Sequence, residues 1–130
     1  MFKRVLFGLG FLVLSSPVAS FAGTLTVDLY RSGNATIPRM DNVRDTDVEK
    51  FQKSGVDWVR AKKLGISTFS TLPADQKNWW KTPKGSSYSN DLYVVNDRND
   101  HWSWAPAKDM PLADFITLMQ ATHSSFTKLK

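Results

Sequence analysis

Thr24-Leu25-Thr26-Val27-Asp28-Leu29-Tyr30-Arg31 alternates its side chains, with Leu25, Val27 and Leu29 to one side and Thr24, Thr26 and Asp28 to the other. A period of two marks a strand with one face in a core, so the pattern predicts a strand over residues 25–31. Arg31 takes the last position of the apolar register. Ser32-Gly33-Asn34 reads as a turn, and the stretch to Val43, which holds Pro38 and few periodic positions, reads as a loop. Asp45 or Thr46 can cap a short helix starting near Asp47, with Val48 and Phe51 on one face and Gly55 closing it. Residues 56–63 fit either period, and Ile66 to Ser70 reads as a strand. Leu72-Pro73-Ala74-Asp75 opens a helical turn carrying Trp79 and Trp80.

The second half is more regular. Leu92 to Val95 is a continuous apolar strand, and in His101 to Trp104 the two tryptophans share one face while His101 and Ser103 share the other. Asp109 as cap and Pro111 in the first turn start a last helix with Leu112, Phe115, Ile116, Met119 and Phe126 along one side. Strands and helices mix without regular βαβ alternation, so the fold class is α+β.

The N-terminal end has a different character. Lys3 and Arg4 precede an apolar run from Val5 to Leu14, then Ser15-Ser16-Pro17 and Ala19-Ser20-Phe21-Ala22. That is the order of a cleavable signal peptide, and the run is about half of the roughly 20 apolar residues a stable membrane anchor needs. The expectation is a signal peptide over residues 1–22, one domain over 23–130, and a secreted or periplasmic product. With no cysteine among 130 residues, the core must hold by packing alone, and five tryptophans, Trp58, Trp79, Trp80, Trp102 and Trp104, supply material for it. The 17 basic residues against 12 acidic ones are scattered apart from Arg60, Lys62 and Lys63, which argues against a nucleic-acid footprint.

Several chemistries lack their residues. Two histidines, no cysteine and no H-E-x-x-H give no zinc site, so no metal is expected. The chain has one glutamate, Glu49, which disfavours a glycosidase pair. No phosphate loop, dinucleotide fingerprint or nucleophile elbow occurs, and nothing in the sequence sets a particular serine beside His101.

Three segments remain in a suggestive order: Leu29-Tyr30-Arg31, Gly65-Ile66-Ser67-Thr68-Phe69, and His101-Trp102-Ser103-Trp104 running into Pro106-Ala107-Lys108-Asp109-Met110, with Tyr88 between the last two. Together they resemble the type VI secretion toxins with an ADP-ribosyltransferase-like fold. The resemblance implies a mixed, split, antiparallel-rich sheet with a C-terminal helix, and NAD as substrate for ADP-ribose transfer or NAD cleavage. It implies that Arg31 contacts the NAD phosphates or ribose, that Ser67 and Thr68 shape the nicotinamide pocket, and that Tyr88 or Trp102 stacks on nicotinamide. Ser67 and His101 then carry the catalytic roles, and Arg31, Ser67 and His101 meet at one cleft. A guanidinium suits a diphosphate because it is planar and keeps its charge when enclosed. The late glutamate of the Arg-Ser-Glu pattern is absent, which leaves Asp97 or Asp100 to supply negative charge beside His101. A protein target and a cognate immunity protein are the partners implied.

A secreted binding module for glycan, envelope or protein is the alternative, and it would set Trp79, Trp80, Trp102 and Trp104 in an exposed row. A third reading is an inhibitor presenting the loop from Ser32 to Arg44.

Overall fold

The computed structural model describes residues 21–75 and 77–130, so residues 1–20 of the expected signal peptide lie outside the described residues. Leu25 and Leu29 are buried as the alternation requires and Val27 packs against the core, but residues 25–31 do not make one strand. β1 (Phe21–Thr24) ends before Leu25 and β2 (Leu29–Ser32) begins after Asp28. Between them the chain is tied to a turn instead: Leu25 N–H donates to Ser86 at 2.9 Å, Gly85 N–H to Leu25 at 2.8 Å, and Lys84 N–H to the Asp28 carboxylate at 2.8 Å. Those backbone bonds replace a ladder over the middle of the segment.

β3 (Lys50–Lys53) and β4 (Val56–Val59) stand where a helix from Asp47 is expected. Ser54 and Gly55 both have positive φ, 52° and 76°, and they join Lys53 to its partner Val56. A two-residue loop of this kind matches the twist of a hairpin. Val48 and Phe51 are three apart, which suits a helix, but Phe51 pairs across the hairpin with Trp58, ring centroids 6.1 Å apart. Cross-strand aromatic packing and the turn therefore override the weak helical spacing.

β5 (Ile66–Phe69) follows the expected strand, and β6 (Trp79–Thr82) replaces the helical turn drawn around Trp79 and Trp80. Its backbone is claimed by β2, from Leu29 opposite Thr82 to Ser32 opposite Trp79. After β7 (Ser87–Ser89), β8 (Leu92–Arg98) and β9 (His101–Pro106) form a long hairpin. β10 (Met110–Pro111) leads into α1 (Leu112–Ala121), which starts at Pro111 and not on Asp109. Asp109 accepts from Ala61 N–H at 2.8 Å. A 3₁₀ turn (Thr122–Ser125) ends α1 short of Phe126, which is nonetheless buried, and β11 (Thr127–Lys128) closes the chain.

The α+β class stands: a six-stranded sheet in the order β11-β6-β2-β5-β9-β8, a three-stranded sheet β10-β4-β3, a pair β1-β7, and α1. All these pairings are antiparallel. Leu29, Val59, Ile66, Trp104, Met110, Phe115, Met119 and Phe126 share one core, so α1 and the C-terminal hydrophobic residues close the same core that the first strand enters. The large sheet is split at its middle. β2 makes four pairs with β6 and β5 makes four with β9, yet β2 and β5 meet only at Tyr30 and Phe69. Beyond that bridge the two halves part, which opens backbone groups to other partners.

Candidate functional site

The β5–β9 ladder sorts side chains by parity. Ser67 faces Ser103 and Phe69 faces His101, while Ile66 faces Trp104 and Thr68 faces Trp102. Because alternate residues point to opposite faces, Ser67, Phe69, His101 and Ser103 lie on one side and Ile66, Thr68, Trp102 and Trp104 lie on the core side. Thr68 is fully buried there; its hydroxyl accepts from Trp104 Nε1–H at 2.9 Å and donates to the Trp102 carbonyl at 3.1 Å. Tyr88 stands edge-on to Trp104 with ring centroids 5.9 Å apart. The structure thus brings the Ser67 and His101 side chains together on the cavity wall and ties Arg31 to Ser67 only through the Ser67 carbonyl, outside the residues that line the cavity. Thr68 and Trp102 lie on the core face, with Tyr88 packed against Trp104 there.

His101 is held at both nitrogens. Nδ1 lies 2.5 Å from Asp97 Oδ1 and Nε2 lies 2.9 Å from Ser67 Oγ, and the ring is buried with Phe69 edge-on at 5.5 Å. A carboxylate can only accept, so in the neutral ring Nδ1 carries the proton and Nε2 accepts from the Ser67 hydroxyl. The register slips between Asn96 and Arg98, leaving Asp97 outside the ladder. A bulge of this kind re-aims a side chain. Asn96 Nδ2 holds the turn by donating to the carbonyls of Asn99 and His101, both at 2.9 Å. Asp100 is engaged elsewhere, accepting from the Thr71 hydroxyl. Of the two aspartates read from the sequence, Asp97 is the one on the histidine.

Arg31 occupies the split. Its Nη1 donates to the Ser67 carbonyl and its Nη2 to the Arg39 carbonyl, each at 2.9 Å, while buried Nε has no partner. No carboxylate lies in ion-pair contact with it among the described residues. Burial lowers its pKa, and the field of Asp47 partly offsets that. An unsatisfied buried donor costs on the order of 1–3 kcal/mol, so this arginine is kept at an expense to stability. Its two terminal nitrogens clamp the backbone of Ser67 to the loop after β2.

Ser67, Asp97, His101 and Ser103 line a cavity of about 250 Å³, with Arg44, Lys63 and Arg98 around it. Arg44 is paired to Asp47 at 3.0 Å, and that bond raises its pKa. Arg98 lies 3.9 Å from Asp97. A neighbouring cavity of about 250 Å³ is lined by Phe69, Trp79 and Asp100, and the Phe69–Trp79 edge contact of 6.3 Å puts two aromatic rings on the histidine's side. The sequence reading missed Arg44, Lys63, Arg98, Ser103, Phe69 and Trp79. Period-two alternation from His101 and Ser67 points to Ser103 and Phe69, whereas the three cations come from the loop before β3, the loop after β4 and the end of β8, which no local pattern joins.

The tryptophans do not form an exposed row: Trp104 is buried and Trp79, Trp80 and Trp102 are half-buried. No helix among the described residues is long and apolar enough to cross a membrane. The family model for the Tse2 ADP-ribosyltransferase toxin matches residues 23–130. Neither a curated protein nor a solved structure matches the chain.

Proposed function

Since the chain belongs to the Tse2 ADP-ribosyltransferase toxin family, we propose that its cleft at Ser67 and His101 holds NAD and that the chain acts on it as an exported toxin. The observation that carries this reading is the line Asp97–His101–Ser67 on the wall of a cavity ringed by Arg44, Lys63 and Arg98. Asp47 and Asp97 line the same hollow and engage Arg44 and Arg98. Lys63, which has no carboxylate in ion-pair contact among the described residues, is therefore the cation left to meet a diphosphate, with the arginines available only by exchanging their carboxylates for phosphate oxygens. At about 250 Å³ the hollow is smaller than a pocket that encloses a whole ligand, roughly 300–1,000 Å³. It seats one end of the dinucleotide, and the Phe69 and Trp79 rings next to it offer a flat apolar surface to a base.

The residues divide the work. Arg31 fixes the Ser67 backbone through its carbonyl, and Asp97 fixes the orientation of His101. As the nicotinamide bond breaks, positive charge develops on the ribose, and a preorganised negative group stabilises it best in a cleft that excludes water. Asp97 supplies that charge, relayed through the imidazole, in place of the missing late glutamate. Glu49 cannot do so, because its side chain pairs with Arg60 at 3.6 Å beside the β3–β4 hairpin. The acceptor is a group on a target protein, or water where none is present. The family match starting at residue 23 supports the reading of residues 1–22 as a signal peptide.

The test is incubation of the protein with NAD labelled on the adenine half, following nicotinamide release and the fate of the label. Release with label on an added protein extract indicates transfer, and release with free ADP-ribose indicates cleavage. Absence of release and of NAD binding refutes the reading.

A further inference from the structure

The catalytic reading uses His101 to relay the charge of Asp97, but the geometry at its other nitrogen is that of an activated nucleophile. Ser67 Oγ lies 2.9 Å from Nε2, and Asp97 Oδ1 lies 2.5 Å from Nδ1. A hydroxyl is a weak nucleophile until an adjacent base can take its proton, and the base works best when a third group fixes its tautomer. Both conditions hold here. Ser67 is only half-buried and lines the cavity, whereas its neighbour Thr68 is fully buried and bonded on both sides. The Arg31 bond to the Ser67 carbonyl holds the backbone from the other side of the strand, so the hydroxyl has a fixed position.

We propose that Ser67 is itself an acceptor of ADP-ribose, so that the chain modifies its own cleft. This rests on the reading of the cavity as an NAD site. Ser67 Oγ bonds to the ribose C1′ as the bond from C1′ to the nicotinamide nitrogen breaks. The electron pair of that bond neutralises the pyridinium, and nicotinamide leaves uncharged. The Ser67 proton passes to His101 Nε2, and the imidazolium formed is stabilised by Asp97 until it releases the proton to solvent. The product is an O-glycoside at Ser67. Such an acetal is stable in neutral water, so the modified chain accumulates and its cavity is filled, which makes the modification self-limiting.

Intact-mass and peptide mass spectrometry of the protein after incubation with NAD tests this, with nicotinamide release followed in the same samples. The expected result is one ADP-ribosyl group per chain, located at Ser67 and resistant to hydroxylamine, with release that slows as labelling proceeds. Ser67→Ala removes the adduct. Asp97→Asn slows its formation about 10²–10⁴-fold, because an amide can donate to Nδ1 and leave the proton on the wrong nitrogen. Circular dichroism of both variants separates these losses from unfolding. Nicotinamide release with no adduct, or with a hydroxylamine-labile adduct on Asp97 or another carboxylate, overturns the self-acceptor proposal and leaves the NAD reading standing. No release and no labelling overturns both.

Discussion

Ser67 and Thr68 are adjacent hydroxyl residues on one strand with opposite fates. Ser67 bonds His101 on the wall of a polar cavity, while Thr68 is sealed between Trp102 and Trp104 with no exposed surface. Neither chemistry nor position along the chain distinguishes them; the strand's two-residue period does. One face of the β5–β9 pair spends stability on a buried histidine, and the other recovers it by packing tryptophan against Phe115, Met119 and Phe126. Substitutions on the core face should move stability and leave chemistry alone, and substitutions on the cleft face should do the reverse.

The largest effect is expected at Trp104. Trp104→Ala removes a ring that is 2% exposed and contacts Tyr88 and Phe126, and it leaves the Thr68 hydroxyl with only the bond it donates to the Trp102 carbonyl. A loss of about 3–5 kcal/mol is expected, read from urea denaturation, and nicotinamide release should disappear with the fold. On the other face His101→Gln should reduce nicotinamide release about 10²–10⁴-fold, the usual contribution of a positioned acid-base group, while the urea midpoint moves much less than for Trp104→Ala. Equal losses of stability in the two variants would erase the distinction between the faces.

How much of this division was legible in the sequence depends on which interactions are local. The alternation in His101-Trp102-Ser103-Trp104 sets the two faces of β9 correctly, and the C-terminal helical period places Phe115 and Met119 in the core. The same alternation applied to Gly65-Ile66-Ser67-Thr68-Phe69 separates Ser67 from Thr68, but the family pattern treats the pair as one unit and hides it. The hairpin at Ser54-Gly55 was concealed because a Gly after a three-apart apolar pair also ends a helix. Asp97 was visible only as one of two nearby aspartates, since a bulge, which leaves no sequence periodicity, chooses between them. Arg31 lies in its strand as expected, although the strand runs one residue further to Ser32, and its fork is taken by the Ser67 and Arg39 carbonyls, partners that exist only because the sheet splits.

A smaller effect isolates the buried hydroxyl. Thr68→Val keeps the shape and removes the oxygen, so Trp104 Nε1–H loses its acceptor in the core. Leaving a buried donor unpaired costs on the order of 1–3 kcal/mol, and the folded fraction should still release nicotinamide at the parent rate. A loss of activity out of proportion to the loss of folded protein would mean that Thr68 reaches the cleft.

The smallest effect is expected at the same position. Thr68→Ser keeps the oxygen where Trp104 Nε1–H and the Trp102 carbonyl need it and deletes one methyl group from a side chain with no exposed surface. Burial of a single carbon is worth about 0.8 kcal/mol, and the lost β-branch slightly weakens the preference for strand. Together these give a loss of about 1 kcal/mol, equivalent to roughly 4–8 °C in Tm for a domain of this size. Thr68→Ser should therefore fall between the parent and Thr68→Val in a thermal melt. If Thr68→Ser melts below Thr68→Val, the methyl and not the hydroxyl anchors Trp104, and the hydrogen bonds at 2.9 and 3.1 Å carry little of the stability assigned to them. If Thr68→Ser instead changes the rate of nicotinamide release, the strand does not separate its two hydroxyls, and Thr68 belongs with Ser67 in the cleft.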